Sequence, residues 1–382
     1  MSPKNYDAIV LGAGGVGSAA MWQLARRGLR VLGIDRFDPP HDRGSSHGQT
    51  RIIRQAYFEH ADYVPLLLAS YGLWHELEAL AGRELLRETG LLQVGPEDGE
   101  VVPGVLEAAQ QHGLEVERFT PREIELRWPG FRIADSDGER LSGVFERRAG
   151  LLHVEACVGA CLDAARRGGA ELLADTTVHD LQLGDVVTVR TDRGDFHAHR
   201  LVVAAGAWAG PLLASLDVKL EVRRKVLMWH ATEDQRTHAD GGFPCFLFEQ
   251  PHSVFYGFPT IDGRGLKAAE HSGGVTVTDP LTVDRTLREA DRAPVEDFLH
   301  RRLPSVRTPC TEHVVCLYTM SADEHFVVDR RPDDPRVVFA AGLSGHGFKF
   351  TPVLGQALAE LAVDGCTELP IEFLSLRRFQ TL

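Results

Sequence analysis

The feature that most restricts the fold of this chain lies near its start, in residues 6–35. The sequence there, YDAIVLGAGGVGSAAMWQLARRGLRVLGID, contains an apolar run, a glycine-rich turn, an amphipathic segment and a second apolar run. This order predicts a strand, a phosphate-binding loop, a helix and a strand. Gly12 permits the tight turn, Gly14 permits backbone to approach a pyrophosphate, and Gly17 permits close packing of helix on strand. With Asp35 placed for ribose hydroxyls and the helix N-terminus for the diphosphate, the stretch predicts a dinucleotide site, for NAD or FAD.

Length and charge restrict the kind of partner. A chain of 382 residues is long enough for two domains and for a large cofactor. Its formal net charge of −13, with no basic block, argues against nucleic acid or an anionic membrane as a partner. No apolar run reaches about 18 residues, the length of a membrane-spanning helix. We therefore expect a cytoplasmic protein that acts on a small molecule.

The six cysteines do not suggest a disulfide framework in a chain of this length. Cys157 and Cys161 fall one helical turn apart on an apolar face, a spacing that fits either a metal pair or core packing. Buried free cysteine behaves as a small hydrophobe, so we expect core packing and no metal site.

The rest of the chain alternates between helical and strand patterns. Helical periodicity predicts helices at residues 63–81, 100–112, 120–128, 153–168, 285–292, 294–303 and 352–363. Strands are predicted at 91–94, 143–152, 170–175, 178–183, 186–191, 195–198 and 199–205, with further alternation through 220–273 and two strands around the turn RRPDDP. The alternating segment predicts a largely antiparallel sheet with one packed face and one face lining a site. The strand at 199–205 runs into AAGAWAG, so we expect the nucleotide domain to combine separated pieces of chain.

Two loops contain groups suited to holding a ligand. Residues 36–57 combine prolines and glycines with more hydrogen-bonding side chains than a solvated loop needs. Residues 342–350, GLSGHGFKF, place glycines before the last predicted helix and so repeat the arrangement of the first turn. We expect this second loop to direct a helix N-terminus at an electron-rich group.

Four segments, taken in order, resemble one family. GAGGVGSAA, FDPPHDRGSSHGQTRIIR, VFYGFPTIDGRGLKAAEH and CLYTMSADEHFVVD with AAGLSGHGFKF are similar to the monomeric sarcosine oxidase family of flavoprotein amine oxidases, which includes N-methyltryptophan oxidase. The resemblance runs from Asp7 to about Val363. It implies an α/β (α+β mixed) fold in which a FAD-binding Rossmann-like domain is interleaved with an antiparallel-sheet substrate domain. We place the FAD-binding domain at 1–85, 150–215 and 315–382, and the substrate domain at 86–149 and 216–314.

The resemblance implies FAD attached covalently through a cysteine sulfur to the flavin 8α-methyl, and the matching residue is Cys316. We expect Cys316 to end an apolar strand. His47 and Arg51 match residues that lie beside the flavin and support its attachment, and Ser46 stands where many members have a further histidine. The residues expected to contact the cofactor are Gly12, Gly14, Gly17, Asp35, Ser45, Thr50, Val178, Cys316, Gly345, Gly347 and Lys349.

For the substrate, the resemblance implies a carboxylate held by Arg54 and Lys349. Cations in fixed geometry suit this task, and arginine can bind a carboxylate with two parallel hydrogen bonds. Tyr256 and His271 match residues over the flavin, where a tyrosine closes the pocket and a histidine favours the neutral form of the amine.

Lys267 matches a lysine that activates oxygen. Reduction of O2 begins with an electron transfer that forms superoxide, and a fixed positive charge lowers that barrier in a dry site. The residues assigned to catalysis are Lys267, Arg51, Tyr256, His271 and His47. The residues assigned to substrate binding are Arg54, Lys349, Tyr318 and Leu247. Leu247 replaces a methionine of the sarcosine enzyme, which alters the expected pocket shape.

These residues predict oxidation of a secondary amino acid, with sarcosine as the first candidate and O2 as the acceptor. The amine would lose a hydride equivalent to the flavin, and hydrolysis of the imine and reoxidation by O2 would give glycine, formaldehyde and H2O2. N-Methyltryptophan, and cyclic amino acids such as pipecolate or proline, are alternative substrates for the same chemistry. Two hypotheses from other classes remain at this point: an NAD(P)-dependent dehydrogenase and a nucleotide-binding module without catalysis. We expect a monomer with no nucleic-acid or membrane partner.

Overall fold

The computed structural model of the chain describes residues 5–133 and 140–379. The helices are α1 (Gly15–Ala25), α2 (Tyr63–Ala81), α3 (Val101–His112), α4 (Pro121–Arg127), α5 (Val154–Arg167), α6 (Ala209–Leu213), α7 (Glu289–Arg302) and α8 (Thr351–Val363). The strands are β1 (Asn5–Leu11), β2 (Val31–Ile34), β3 (Thr50–Ile53), β4 (Leu86–Arg87), β5 (Leu91–Pro96), β6 (Glu117–Phe119), β7 (Leu141–Glu146), β8 (Gly150–His153), β9 (Glu171–Leu173), β10 (Val178–Leu183), β11 (Val187–Thr191), β12 (Gly194–Val203), β13 (Glu221–His230), β14 (Cys245–Gln250), β15 (Ser253–Phe258), β16 (Leu266–Glu270), β17 (Val275–Val277), β18 (Glu312–Met320), β19 (Val327–Arg330) and β20 (Val337–Ala341).

The first large sheet has a parallel core in the order β9, β2, β1, β12, β20. The alternating residues of β1 are buried on both faces: Ala8 and Val10 belong to one hydrophobic cluster, and Ile9 and Leu11 to another. Burial on both faces explains why this strand reads as a continuous apolar run. β10, β11 and β19 extend the sheet by antiparallel pairing. The carboxyl ends of β1 and β12 meet, as expected for a nucleotide domain assembled from separated pieces of chain.

Helices α1, α2, α5 and α8 pack together over one face of this sheet. The sequence pattern of α1 suggested an amphipathic helix, but every residue of α1 is buried. The reason is that α5 and α8 both pack against it, and Gly355 of α8 lies so close that an added Cβ would sit 2.6 Å from the Ala19 backbone. Cys157 and Cys161 lie in this core. Among the described residues, no helix combines the length and apolar character needed to cross a bilayer.

The second large sheet is ordered β18, β13, β16, β15, β14, β5, β7, β6, with β17 also paired to β13. All its pairings are antiparallel except β5 with β14. Its alternating side chains separate two clusters: Phe246 and Phe255 pack under α7 against Phe298, while Leu247 and Tyr256 face the opposite side. The strand period therefore places site residues on one face and structural aromatic residues on the other.

Several predicted elements differ from the structure. Residues 143–152 form two strands, because β7 belongs to the second sheet and β8 to a three-stranded sheet with β3 and β4. The strands predicted at 195–198 and 199–205 are one strand, β12. The two helices predicted at 285–303 are the single helix α7, which contains Pro294. Proline cannot donate to the carbonyl four residues earlier, but that carbonyl belongs to exposed Ala290 and can reach water.

The predicted domain boundaries remain a prediction. Their outermost positions, residues 1 and 382, lie outside the described residues. The pairing of β18 with β13 shows that residues 312–320 extend the sheet formed by residues 221–277. A strand that lies mostly in the predicted FAD-binding domain, β18, therefore pairs with β13 of the predicted substrate domain.

Candidate active site

A cavity of about 880 Å³ lies where the carboxyl ends of the parallel strands meet the inward face of the second sheet. It runs from the first glycine turn to the side chains of β14, β15 and β18. Crevices outside the carboxyl ends of parallel strands are the usual binding places in open α/β sheets.

The first glycine turn forms one end of the cavity. Gly12 has φ of +85°, and an added Cβ there would lie 2.5 Å from the Ala204 carbonyl oxygen. An added Cβ at Gly17 would lie 1.7 Å from the Gly12 carbonyl oxygen. Only glycine fits these two positions, so the backbone itself forms a cradle against the start of α1.

Asp35 is buried at the end of β2 and lines the same part of the cavity. Its carboxylate accepts hydrogen bonds from the backbone N–H groups of Ala13, at 2.7 Å, and Phe37, at 2.9 Å. These bonds orient the carboxylate beside the glycine turn. Val178 at the start of β10 lines this end as well.

Ser46 supports the start of α1. No side chain of the helix itself caps its first turn, which also lacks an acidic residue. The hydroxyl of Ser46 accepts the N–H of Gly15 at 3.0 Å. The serine that replaces a histidine of many family members thus lies where the loop at residues 36–57 contacts the glycine turn.

Cys316 lies at the other end of the cavity, in the middle of β18 and not at its end as predicted. The strand continues to Met320 because alternate side chains, including Tyr318, pack into one cluster. Cys316 Sγ lies 3.3 Å from Nη2 of Arg51 and 3.7 Å from the Ser45 carbonyl oxygen. Burial raises the pKa of Cys316, but the Arg51 charge and the His47 hydrogen bond outweigh it and lower the pKa to about 7. A thiolate is therefore well populated at neutral pH, as a nucleophilic cysteine requires.

The other buried thiols contrast with Cys316. Burial raises the pKa of both Cys161 and Cys245 to about 12, and it also raises the pKa of Cys157 well above the ordinary value. These three cysteines act as apolar side chains, whereas the environment of Cys316 favours ionisation.

Lys267 on β16 is 1% exposed and is not among the residues that line the cavity. Its Nζ donates to the carbonyl oxygens of Gly48, at 2.6 Å, and Thr50, at 2.8 Å. The ammonium also lies 4.7 Å from the centre of the Phe258 ring. Burial lowers the pKa of Lys267 well below its ordinary value.

Arg54 and Lys349 bring two positive charges into the cavity, and both are nearly fully buried. Arg54 forms an ion pair with Glu59 and donates to Gln93 Oε1 at 2.7 Å, while its buried Nε–H has no partner among the described residues. Lys349 Nζ donates to the His346 carbonyl oxygen at 2.7 Å. Burial, followed by repulsion from Arg54, lowers the pKa of Lys349 to about 7. Glu59 pairs with Arg54, so Lys349, which is charged at and below neutral pH, favours an anionic ligand beside them.

Another part of the cavity wall is made by aromatic and apolar side chains of the second sheet. Leu247 and Tyr256 are paired across β14 and β15. His271 Nδ1 lies 3.4 Å from the Tyr318 hydroxyl, and its ring centre lies 6.2 Å from that of Tyr256. Burial lowers the pKa of His271 to about 3, so its imidazole is neutral at physiological pH.

The structure brings most of the predicted site residues into one cavity. All of them line it except the buried residues Gly17, His47, Thr50 and Lys267. Gly345, with φ of +81°, passes so close to Tyr318 that an added Cβ would lie 2.3 Å from the ring, and Gly347 follows in the same loop. Sequence reasoning missed Glu59 and Glu155, whose contacts depend on the folded chain.

The residues present fit a flavin dinucleotide. The backbone of Gly12, Gly14 and Gly15 lines the cavity, where a diphosphate can approach it, and the cavity continues without interruption to Cys316. Two buried polar groups that line the cavity, the Trp208 Nε1–H and the Thr319 hydroxyl, have no partner among the described residues. A ligand with polar groups along its length would satisfy them.

Together, the fold and the site define an oxidoreductase that holds a dinucleotide on a parallel sheet and presents a second sheet to its substrate. The chain belongs to the FAD dependent oxidoreductase family, whose model matches residues 7–361. It is 39% identical over 380 residues to a monomeric sarcosine oxidase of Bacillus sp. (strain B-0618), covering 98% of this chain and 96% of that protein. It is 38% identical over 382 residues to an N-methyl-L-tryptophan oxidase of Yersinia pestis (strain Pestoides F), covering 98% of this chain and 100% of that protein.

A solved structure shares the whole architecture. The open form of NikD, an unusual amino acid oxidase essential for nikkomycin biosynthesis, matches with a TM-score of 0.85 and 26% identity over 97% of both chains. These comparisons confirm the predicted family and fold class. The first glycine motif was compatible with either NAD or FAD, and the family match shows that the cofactor is FAD.

Proposed function

We propose that this protein oxidises a secondary amino acid, with sarcosine as the first candidate substrate and O2 as the electron acceptor. The overall reaction for sarcosine consumes one O2 and one water and yields glycine, formaldehyde and H2O2. The observation that carries the proposal is the pair of buried cations, Arg54 and Lys349, in the same cavity as the thiol at Cys316. The relatives named above, which bear the names of N-methyl amino acid oxidases, support it.

The carboxylate of the substrate would bind between Arg54 and Lys349. The Arg54 Nε–H is buried and unpartnered among the described residues, so it can donate to an incoming carboxylate without losing another bond. Hydrogen bonds between charged groups contribute about 1.5–3 kcal/mol each. Fixing the carboxylate in this way would orient the N-methyl group, and orientation of reacting atoms is a major source of rate enhancement.

The surroundings of the substrate nitrogen favour its neutral, reactive form. Two nearby cations and a buried site both disfavour a protonated amine. His271 adds no charge, because its pKa of about 3 keeps it neutral. Tyr256 and Tyr318 are buried and line the same cavity.

When bound, FAD supplies the redox chemistry by taking two electrons from the C–H bond beside nitrogen and passing them to O2. We propose that Cys316 holds it through a thioether and that Arg51 and His47 promote this attachment by stabilising the thiolate. We also propose that Lys267 presents a positive charge to O2 as it becomes superoxide. Flavin absorbance that stays with acid-precipitated protein, but not with a Cys316→Ala variant, would support the thioether; retention in both would place the attachment elsewhere.

Oxygen uptake tests the substrate assignment. We expect uptake with sarcosine and none with sarcosinamide, which has the same amine but lacks the carboxylate. N-Methyltryptophan, proline and pipecolate complete the panel, because the relatives named after sarcosine and N-methyl-L-tryptophan match almost equally well. No uptake with any of these amino acids would refute the proposal.

We further propose that the enzyme acts as a monomer in the cytoplasm. The name of the sarcosine oxidase relative supports the monomer, and the six unpaired cysteines fit a reducing compartment. Sedimentation at micromolar concentration, where a dimer would double the mass, checks the first point.

A further inference from the structure

Lys267 is held by a short loop whose backbone adopts an uncommon conformation. Gly48 and Gln49 have consecutive positive φ angles, of +87° and +72°. This turn directs the carbonyl oxygens of Gly48 and Thr50 at Lys267 Nζ, at 2.6 and 2.8 Å. A left-handed conformation at Gln49 is costly for a residue with a side chain, so other contacts must hold it.

Glu155 supplies those contacts from the first turn of α5. Its Oε1 accepts the N–H groups of Gly48, at 2.7 Å, and Gln49, at 3.2 Å, and its Oε2 also lies 3.2 Å from the Gln49 nitrogen. The neighbouring Val154 N–H donates to the Gln49 carbonyl oxygen at 2.9 Å. Val154 and Glu155, at the start of α5, therefore form hydrogen bonds to both the carbonyl oxygen and the N–H group of Gln49.

The Gln49 side chain connects this turn to the second sheet through two hydrogen bonds. Its Nε2 donates to Asp262 at 2.6 Å, and its Oε1 accepts Trp229 Nε1–H at 2.7 Å. The Trp229 ring centre in turn lies 5.4 Å from Lys267 Nζ. Gln49 and Glu155 also line a separate surface cavity of about 400 Å³, which shares no lining residue with the main cavity.

The charge of Glu155 acts on Lys267 as well. Burial is the largest influence and lowers the pKa of Lys267; Arg51 and Arg264 lower it further, whereas Glu155 and Cys316 raise it. Burial alone would raise the pKa of Glu155, but N–H donation from Gln49 and Gly48 outweighs it and lowers that pKa, so the carboxylate is ionised. An ionised Glu155 thus opposes the loss of the lysine proton that burial promotes.

We propose that Glu155 is a positioning residue for oxygen reduction, which fixes the turn at Gly48 and Gln49 and keeps Lys267 charged. The inference rests on the proposed role of Lys267. Glu155 acts through its hydrogen bonds to the loop and through the electrostatic effect of its carboxylate on Lys267, and it does not contact the substrate.

The test uses the flavin-loaded enzyme, reduced with dithionite and mixed with oxygenated buffer over a range of pH, without any amine. The reoxidation rate should fall as pH rises through the pKa of Lys267. In Glu155→Gln this fall should move to lower pH by about one unit, because an opposite charge nearby shifts a pKa by that amount or more. Glu155→Asp keeps the charge, so its midpoint should stay near that of the parent while its rate falls.

Glu84→Gln is the matched control. Glu84 lines the same surface cavity, and its side chain is 58% exposed and pairs with His153. The same loss of charge there should leave both the rate and the midpoint unchanged. A Glu155→Gln midpoint equal to the parent's, or a shifted midpoint in Glu155→Asp, would overturn the proposal.

A second readout does not depend on turnover. The chain has only five lysines, Lys4, Lys219, Lys225, Lys267 and Lys349. NMR titration of protein labelled with ¹³C at the lysine ε-carbon would therefore give few signals, and Lys267→Met would assign the relevant one. Glu155→Gln should lower the Lys267 pKa by about one unit; an unchanged Lys267 pKa would contradict the proposal. If Lys267→Met reoxidises as fast as the parent, the proposed role of Lys267 itself fails, which separates the two failures.

Discussion

Lys349 offers the sharpest test of the carboxylate site, because its charge should change within the working pH range. Burial and the nearby Arg54 lower its pKa to about 7, against the opposing effect of Glu59. The ammonium form is therefore largely present at pH 6 and is lost as pH rises, to about one part in ten at pH 8 and one in a hundred at pH 9. His346, whose pKa is lowered well below its ordinary value by burial, stays neutral.

Acetate isolates this effect because it has a carboxylate and no amine. Its dissociation constant, read from the change in flavin absorbance, should change little between about pH 5.5 and 6, where acetate is ionised, and rise by up to about tenfold per pH unit above pH 7. Replacing Lys349 by Met should weaken binding at pH 6 by about 10- to 150-fold, equivalent to about 1.5–3 kcal/mol for a lost hydrogen bond to a charged group. The variant should lose most of the rise above pH 7, and only a shallower dependence should remain, from the ionisation of Glu146, which interacts with Arg54 and whose pKa burial raises to about 7.

The control for Lys349→Met is Lys219→Met, which removes an exposed lysine outside the cavity and should leave the whole curve unchanged. Acetamide should bind to neither protein, because it lacks the charge. A Lys349→Met variant that keeps the steep rise above pH 7 would refute the assignment of that rise to Lys349, and a flat curve in the parent enzyme would refute the lowered pKa.

Four further substitutions test other parts of the molecule. Arg51→Met should raise the pKa of Cys316, so flavin attachment to the apoprotein at pH 7 should slow and recover about tenfold per pH unit on raising pH; equal attachment rates in parent and variant at pH 7 would contradict this. Lys267→Met should slow reoxidation of the reduced enzyme far more than its reduction by substrate, measured by stopped flow, and equal effects on both steps would remove the oxygen role. Gly17→Ala should destabilise the fold by about 1–3 kcal/mol or more through overpacking, measured by denaturant unfolding. Gly72→Ala, at an open exposed site within α2, should instead stabilise it by about 0.5–1 kcal/mol.

The parts of the fold that the sequence predicted are those set by local pattern. The glycine turn, α1 and β2 occur where expected, because each depends on neighbouring residues. The amphipathic interpretation of α1 was wrong because its full burial depends on α5 and α8, which lie more than a hundred residues away in sequence. The split of residues 143–152 was missed for a similar reason, since only the folded chain shows that β7 and β8 join different sheets.

The candidate site shows the same division. Cys316, Arg54 and Lys349 could be named because each lies in a recognisable motif, and the structure places all three in one cavity. The position of Cys316 within its strand was wrong, because β18 continues for four residues beyond it to pair with β13. No sequence pattern indicated a role for Glu155, because its hydrogen bonds to Gly48 and Gln49 join residues more than a hundred positions apart.

A single anaerobic turnover tests the central claim most directly. Sarcosine mixed with the oxidised enzyme without O2 should bleach the flavin absorbance and, after hydrolysis, release one formaldehyde per flavin. Admission of O2 should then restore the absorbance and form one H2O2. Absorbance that sarcosine and the other N-methyl amino acids leave unchanged, or that sarcosinamide bleaches equally fast, would contradict an oxidase whose substrate is held by its carboxylate.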